Sequence, residues 1–185
     1  MAKQIVPGNN AISIDEAGWV LFKRPHGTFY SLVTQAIANI AVNTQVIAFE
    51  KEVDNEGLIH SLTVNNSRVY VPTSGSYEII VSGVADLNAP GPAPKHMEVW
   101  LKVDGSSVAD SNTRTEIPST NVELTVAVSF IYDLNAGQYV ELGTWGDDTD
   151  CRWLYTQLTG ESPARPDSPS IVMTVKKISS KLSYE

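Results

Sequence analysis

Val122-Glu-Leu-Thr-Val-Ala-Val-Ser-Phe-Ile-Tyr132 is the stretch on which the fold turns. Val122, Leu124, Val126, Val128, Phe130 and Tyr132 recur at every second position, the spacing at which an extended chain returns a side chain to one face. A helix would scatter the same residues around its circumference. Between them lie Glu123, Thr125, Ala127, Ser129 and Ile131, a mixed set that leaves open which face meets a partner. The run stops at Asn135-Ala-Gly137, residues that suit a turn, and Val140 and Leu142 resume the alternation in a partner strand.

The same beat extends in both directions. Upstream, Tyr77, Ile79 and Val81 share a face of a strand opened by Pro72-Thr-Ser-Gly75. Met97, Val99, Leu101 and Val103 share a face of the next, which closes at Asp104-Gly105, a hairpin dipeptide. Downstream, Ile171, Met173 and Val175 finish the series. Two proline-bearing stretches, Asn88 to Pro94 and Gly160 to Pro169, interrupt it and are expected as exposed loops, because proline cannot serve a central ladder. No crossover helix fits between the strands, so the chain is expected to be all-β, an antiparallel sandwich or jelly roll.

At 185 residues the chain accommodates one domain with a real core and an appended segment. The expected division is an N-terminal docking arm at 1–42 and a jelly-roll domain at 43–185. Net charge is -8, which opposes attraction to nucleic acid or an anionic membrane surface. The arm carries Lys3, Lys23 and Arg24 against Asp15 and Glu16, a net +1, so the acidity resides in the body. Cys151 is the single cysteine, which rules out an intrachain disulfide. No secretory leader and no run of eighteen apolar residues is visible, so synthesis in a cytoplasm is expected.

Within 1–42 no period is sustained. Ile12 and Ile14 alternate, Trp19-Val20-Leu21-Phe22 is a solid apolar run, and Phe29 and Tyr30 follow. Such a segment is too apolar for a solvated tail and too short for its own core, so it docks either on its own jelly roll or on another protein.

Chemistry is sparse. His26, His60 and His96 lie far apart, and Asp147, Asp148 and Asp150 lack the spacing of a calcium loop, so no metal or other cofactor is expected. Cys151 beside Arg152 has the cation that lowers a thiol pKa but no companion base. Nucleophile-elbow, phosphate-loop and zinc-helix motifs are all missing, which makes an enzyme the least favoured class. Trp100, Trp145, Trp153 and Tyr155 offer flat apolar platforms, and Trp145, Trp153 and Tyr155 form a candidate ligand loop in an Asp-rich stretch.

Several passages resemble the globular heads of the complement and tumour necrosis factor superfamily. Gln45-Val-Ile-Ala-Phe49 resembles its first strand, and Val71-Pro-Thr-Ser-Gly-Ser-Tyr77 resembles the signature in which Pro and Gly precede an inner-strand aromatic. Val99-Trp-Leu-Lys-Val-Asp-Gly105, Leu134 to Leu142 and Pro169 to Ile178 resemble later strands in the same order. Gln138 stands where Asp is usual, and the family's closing Phe-x-Gly has no counterpart. The resemblance therefore implies a TNF-like jelly roll with an N-terminal extended arm, and neither cytokine nor complement activity.

It further implies a homotrimer with one sheet facing a threefold axis, for which Tyr77, Phe130, Tyr132 and Tyr139 are the core or axial aromatics, core packing being favoured. Phage head decoration, or cement, proteins reuse this jelly roll, and the short apolar leader resembles theirs. On that resemblance the chain is a noncatalytic virion protein made in the host cytoplasm and placed on the capsid surface. Trp19, Phe22, Lys23, Arg24, Phe29 and Tyr30 are then the contact with the major capsid protein. The alternative is the receptor-binding head of a tail fibre or spike, recognising a host surface glycan or protein.

Overall fold

A computed structural model describes residues 12–14, 20–22, 24–38, 45–89, 94–120 and 122–180. A short hairpin pairs β1 (Ile12–Ile14) with β2 (Val20–Phe22). Then come β3 (His26–Ser31), β4 (Gln35–Ala36), β5 (Lys51–Glu56), β6 (Ile59–His60) and β7 (Val69–Tyr70). The long strands β8 (Gly75–Leu87) and β9 (Lys95–Val103) follow, with β10 (Ser106–Ser107) and β11 (Thr113–Ile117) after them. β12 (Leu124–Leu134), β13 (Tyr139–Gly146), β14 (Cys151–Trp153) and β15 (Ile171–Ser180) complete the chain.

Two antiparallel sheets result. In the larger, β8 is central: β12 lies along one edge from Gly75 to Ala85, while β15 and then β14 occupy the other. β3 follows β15 and β5 follows β3, with β4 beside β14. In the smaller sheet β9 pairs with β13 on one edge and with β10 and β11 on the other, and β7 and β6 extend beyond β13. The chain crosses between the sheets at β5–β6, β7–β8, β8–β9, β11–β12, β12–β13 and β13–β14, while β14 to β15 stays within the larger sheet, and these crossings make the sandwich a jelly roll.

The alternation read from the sequence is what fills the space between the sheets. Tyr77, Ile79 and Val81 of β8 face Met97, Val99 and Leu101 of β9 and Val140 and Leu142 of β13 across one core cluster, joined by Ile171, Met173 and Val175. Each such side chain, fully buried, contributes about 1.5–3 kcal/mol before ordering costs. Turns close where the sequence places them: Asp104 and Gly105 both have positive φ, at 49° and 79°, in the hairpin between β9 and β10.

The structure corrects the expected boundary at residue 42. β3 lies inside the sheet, with Tyr30 opposite Val172 and His26 opposite Lys176 of β15, and Phe29 is fully buried in the core. Central pairing and a buried aromatic outweigh the arm-like composition of this stretch, so the sandwich starts by His26. The stretch Gln45 to Phe49, expected as the first strand, instead runs along β13 through a single bridge between Val46 and Gly143, with Ile47 and Phe49 buried.

Candidate functional site

The outer face of the larger sheet is the feature that stands apart. On its five long-paired strands, residues opposite one another in register share a face. One outward row reads Val53, Thr28, Thr174, Ile80 and Ser129, from β5 to β12. The next reads Lys51, Tyr30, Val172, Ser82 and Ala127. Between them these rows hold one charge, Lys51 at the outer strand. A third row brings Glu56, His26, Lys176, Glu78 and Ile131.

Large apolar side chains on this face stay open to solvent. Ile131 is 68% exposed, Val53 47% and Ile80 45%. Ile80 lies in the middle of the central strand, where a lone domain places polar residues. Thr28 and Thr174 bridge neighbouring strands through their hydroxyls at 3.0 Å, so even the polar members are short and internally partnered. The first two rows, gently apolar with Lys51 as their one charge, fit another protein surface better than they fit water, whereas the third row carries Glu56, Lys176 and Glu78.

The candidate aromatics separate. Tyr77 is fully buried, its hydroxyl donating to the Thr73 carbonyl at 2.7 Å. Burial raises its phenol pKa. Phe130 packs half-buried against the core, and Tyr132 sits exposed near the end of β12. Tyr139 belongs to the smaller sheet, where its ring lies 5.1 Å from Tyr70 and under the Arg68 guanidinium at 4.7 Å. Tyr77 and Tyr139 therefore do not face outward from the larger sheet. Ile80, Ile131, Val53 and Val172, which do, were not among the sequence candidates; Ile131 entered only as one of the mixed second register of the 122–132 run.

The arm residues are similarly divided. Trp19 and Lys23 lie outside the described residues, and Phe22 is described only as backbone of β2. Arg24 is exposed and donates from Nη1 to the Ile178 carbonyl at 2.6 Å. Phe29 belongs to the core, so it is removed from the candidate capsid contact, whereas Tyr30 points outward on the larger sheet.

The candidate ligand loop does not form one platform. Trp153 is buried in the core and donates from Nε1 to Thr144 Oγ1 at 3.0 Å, a consequence of the two-residue step from buried Cys151. Tyr155 bonds Asp167 through its hydroxyl at 2.8 Å, and that carboxylate raises its pKa. Trp145 alone keeps an outward position, half-buried on β13.

Titratable groups are mostly paired. Arg152 is held by Asp86 at 2.6 Å and also reaches Asn88, so it does not activate the neighbouring thiol; burial pushes Cys151 up to about 11. Lys95 binds Asp148 at 2.7 Å, which lowers the Asp148 pKa, and His96 contacts Asp147 at 2.9 Å. Among the described residues no three His, Cys, Asp or Glu side chains converge as a metal site.

These features define an antiparallel jelly-roll sandwich whose larger sheet carries two low-charge outward rows beside a charged one. Among solved structures the globular domain of the zebrafish complement 1qA protein is similar, with a TM-score of 0.48 and 12% identity over 84% of this chain and 98% of that one. No protein family matches the chain, and no curated protein matches it.

Proposed function

We propose that the chain is a noncatalytic virion structural protein, a homotrimer closed on the outer face of its larger sheet and fastened to a phage capsid by the segment ahead of the sandwich. The observation that supports this reading is the uncharged row through Val53 and Ile80, both solvent-exposed, with exposed Ile131 in the neighbouring row beside Glu78. Closing three such faces on one axis removes them from water. What remains outside is the acidic body, which keeps assembled trimers soluble.

Three copies also present three leaders together. With effective concentrations in the millimolar range, the combined grip on the major capsid protein exceeds that of any one leader by orders of magnitude. Trp19, Phe22, Lys23 and Arg24 supply apolar surface and positive charge to that contact. Synthesis in the host cytoplasm and assembly onto the capsid surface follow from this role. The test is mass by light scattering, followed by cosedimentation with capsids of the full chain and of a chain lacking residues 1–23. A trimer whose binding vanishes on truncation is the expected result; a monomer, or retained binding by the truncated chain, overturns it.

The second reading is a receptor-binding head of a tail fibre or spike, favoured by the outward position of Trp145 on the sheet away from the assembly face. Labelling of the tail instead of the head in virions distinguishes the two.

A further inference from the structure

We propose that the outer face of the smaller sheet carries a binding groove for neutral saccharides, with Trp145 as the stacking plane and Trp100 as the floor. The groove encloses about 420 Å³ and is lined by Glu98, Trp100, Ser107, Asp110, Asn112 and Trp145. That volume lies within the roughly 300–1,000 Å³ of small-ligand sites. The site rests on neither virion location: it lies on the sheet opposite the assembly face, so a trimer at the head or the tail leaves it open.

Its construction begins at Gly143, which lies opposite Trp100 in the β9–β13 register. A Cβ there would stand 2.3 Å from Trp100 Cε2 and 2.5 Å from Nε1, so the missing side chain is what lets the indole settle against the strand. Nε1 then donates to Ser107 Oγ at 2.9 Å, which pins the ring to β10. Two residues along β13, Trp145 points to the same side and lies opposite Glu98. One indole thus forms the bottom of the groove and the other a partly open wall.

Around the indoles stand groups that match sugar hydroxyls. Glu98 Oε2 accepts from Asn112 Nδ2 at 2.7 Å, and its other oxygen lies 3.8 Å from Arg114 Nε. The carboxylate is held in place with its charge balanced, leaving lone pairs for hydroxyl donors, while Asn112 keeps a carbonyl oxygen and Ser107 a hydroxyl. Asp110 stands at the rim on an exposed turn with φ 61° and, among the described residues, forms no ion pair. A pyranose offers an apolar C–H face to an aromatic ring and a belt of hydroxyls to planar polar side chains. An organic cation would need a cage of several unbalanced carboxylates, and with Glu98 matched by Arg114 only Asp110 at the rim is left to it. Acidic sugars meet the unpaired carboxylate of Asp110 and are disfavoured.

The full-length protein is tested on an array of neutral hexose, N-acetylhexosamine and sialylated glycans. The best-bound sugar is then titrated in solution by tryptophan fluorescence, with choline chloride as the cation probe. Neutral glycans are expected to bind, and Trp145→Ala and Asp110→Gly each to weaken binding at least tenfold; Asp110 is exposed and glycine accepts its positive φ, so this variant keeps the fold if the other does not. An array blank for neutral glycans, a preference for sialylated ones, saturation by choline alone, or binding that survives both substitutions overturns the proposal. None of these outcomes bears on the trimer, whose mass is measured separately.

Discussion

Trp145 and Trp153 lie eight residues apart in one Asp-rich stretch, and replacing each with alanine separates a wall from a keystone. Trp153 is 1% exposed, its ring edge lies where a Cβ on Gly83 would come within 2.9 Å, and its Nε1 bonds Thr144. Removing a buried Trp side chain from so tight a seat costs about 3–5 kcal/mol. Thr144 Oγ1 still donates to the Glu98 carbonyl at 3.0 Å, so no orphaned hydroxyl enlarges that figure. With an unfolding entropy of about 2.1 cal/mol/K per residue, a chain of 185 residues changes by roughly 0.4 kcal/mol per degree, so the loss corresponds to about 8–13 °C in Tm. Trp145→Ala removes a half-buried ring and costs about 1 kcal/mol, or roughly 2–3 °C. Differential scanning calorimetry at one protein concentration reads both, since self-association makes Tm depend on concentration. A Trp153→Ala drop below about 3 °C, or equal drops for the two variants, would refute the placement of Trp153 in the core.

Ile131→Asp puts a charge on the proposed assembly face at a position already 68% exposed, so the isolated fold should tolerate it. Forfeiting about 1–2 kcal/mol of burial per copy amounts to roughly 3–6 kcal/mol per trimer, and sedimentation velocity should show dissociation at concentrations where the parent chain stays assembled. An unchanged sedimentation coefficient would remove this face from the interface. Cys151 should resist iodoacetamide at pH 8 in the folded chain and react on denaturation, because its thiol is fully buried and raised to about 11. Since the folded pKa lies above the unfolded one, its contribution to stability is complete below pH 9 and declines as pH rises toward 11, which urea midpoints across that range will read.

What the sequence discloses and what it conceals follow from who does the burying. β8, β9, β12, β13 and β15 are legible because large apolar residues sit on one parity and enter the core together. β3 is not: in His26–Ser31 the inward positions are Gly27, Phe29 and Ser31, two small residues and one aromatic, so the alternation carries almost no hydrophobic contrast. β5, reading Lys-Glu-Val-Asp-Asn-Glu, pairs at the sheet's edge with mostly exposed side chains and shows no period at all. Trp153 was masked by the acidic residues before it, although Cys151 and Trp153 already keep the two-residue step. The proposed assembly face escaped for a different reason. Its members come from five strands remote in sequence, and only their register brings Val53, Ile80 and Ile131 onto one surface.

His26 opens β3 directly beside Lys176 near the close of β15, and Gly75 and Leu134 end their strands at the same pole. Incoming and outgoing chain therefore leave from a single pole, while the proline-bearing excursion at 160–169 crowns the other, above the bridge between Thr156 and Ser168. A peptide spliced into the 160–169 loop would stand at the end of the sandwich remote from both chain exits, so it would leave any attachment made through those exits undisturbed.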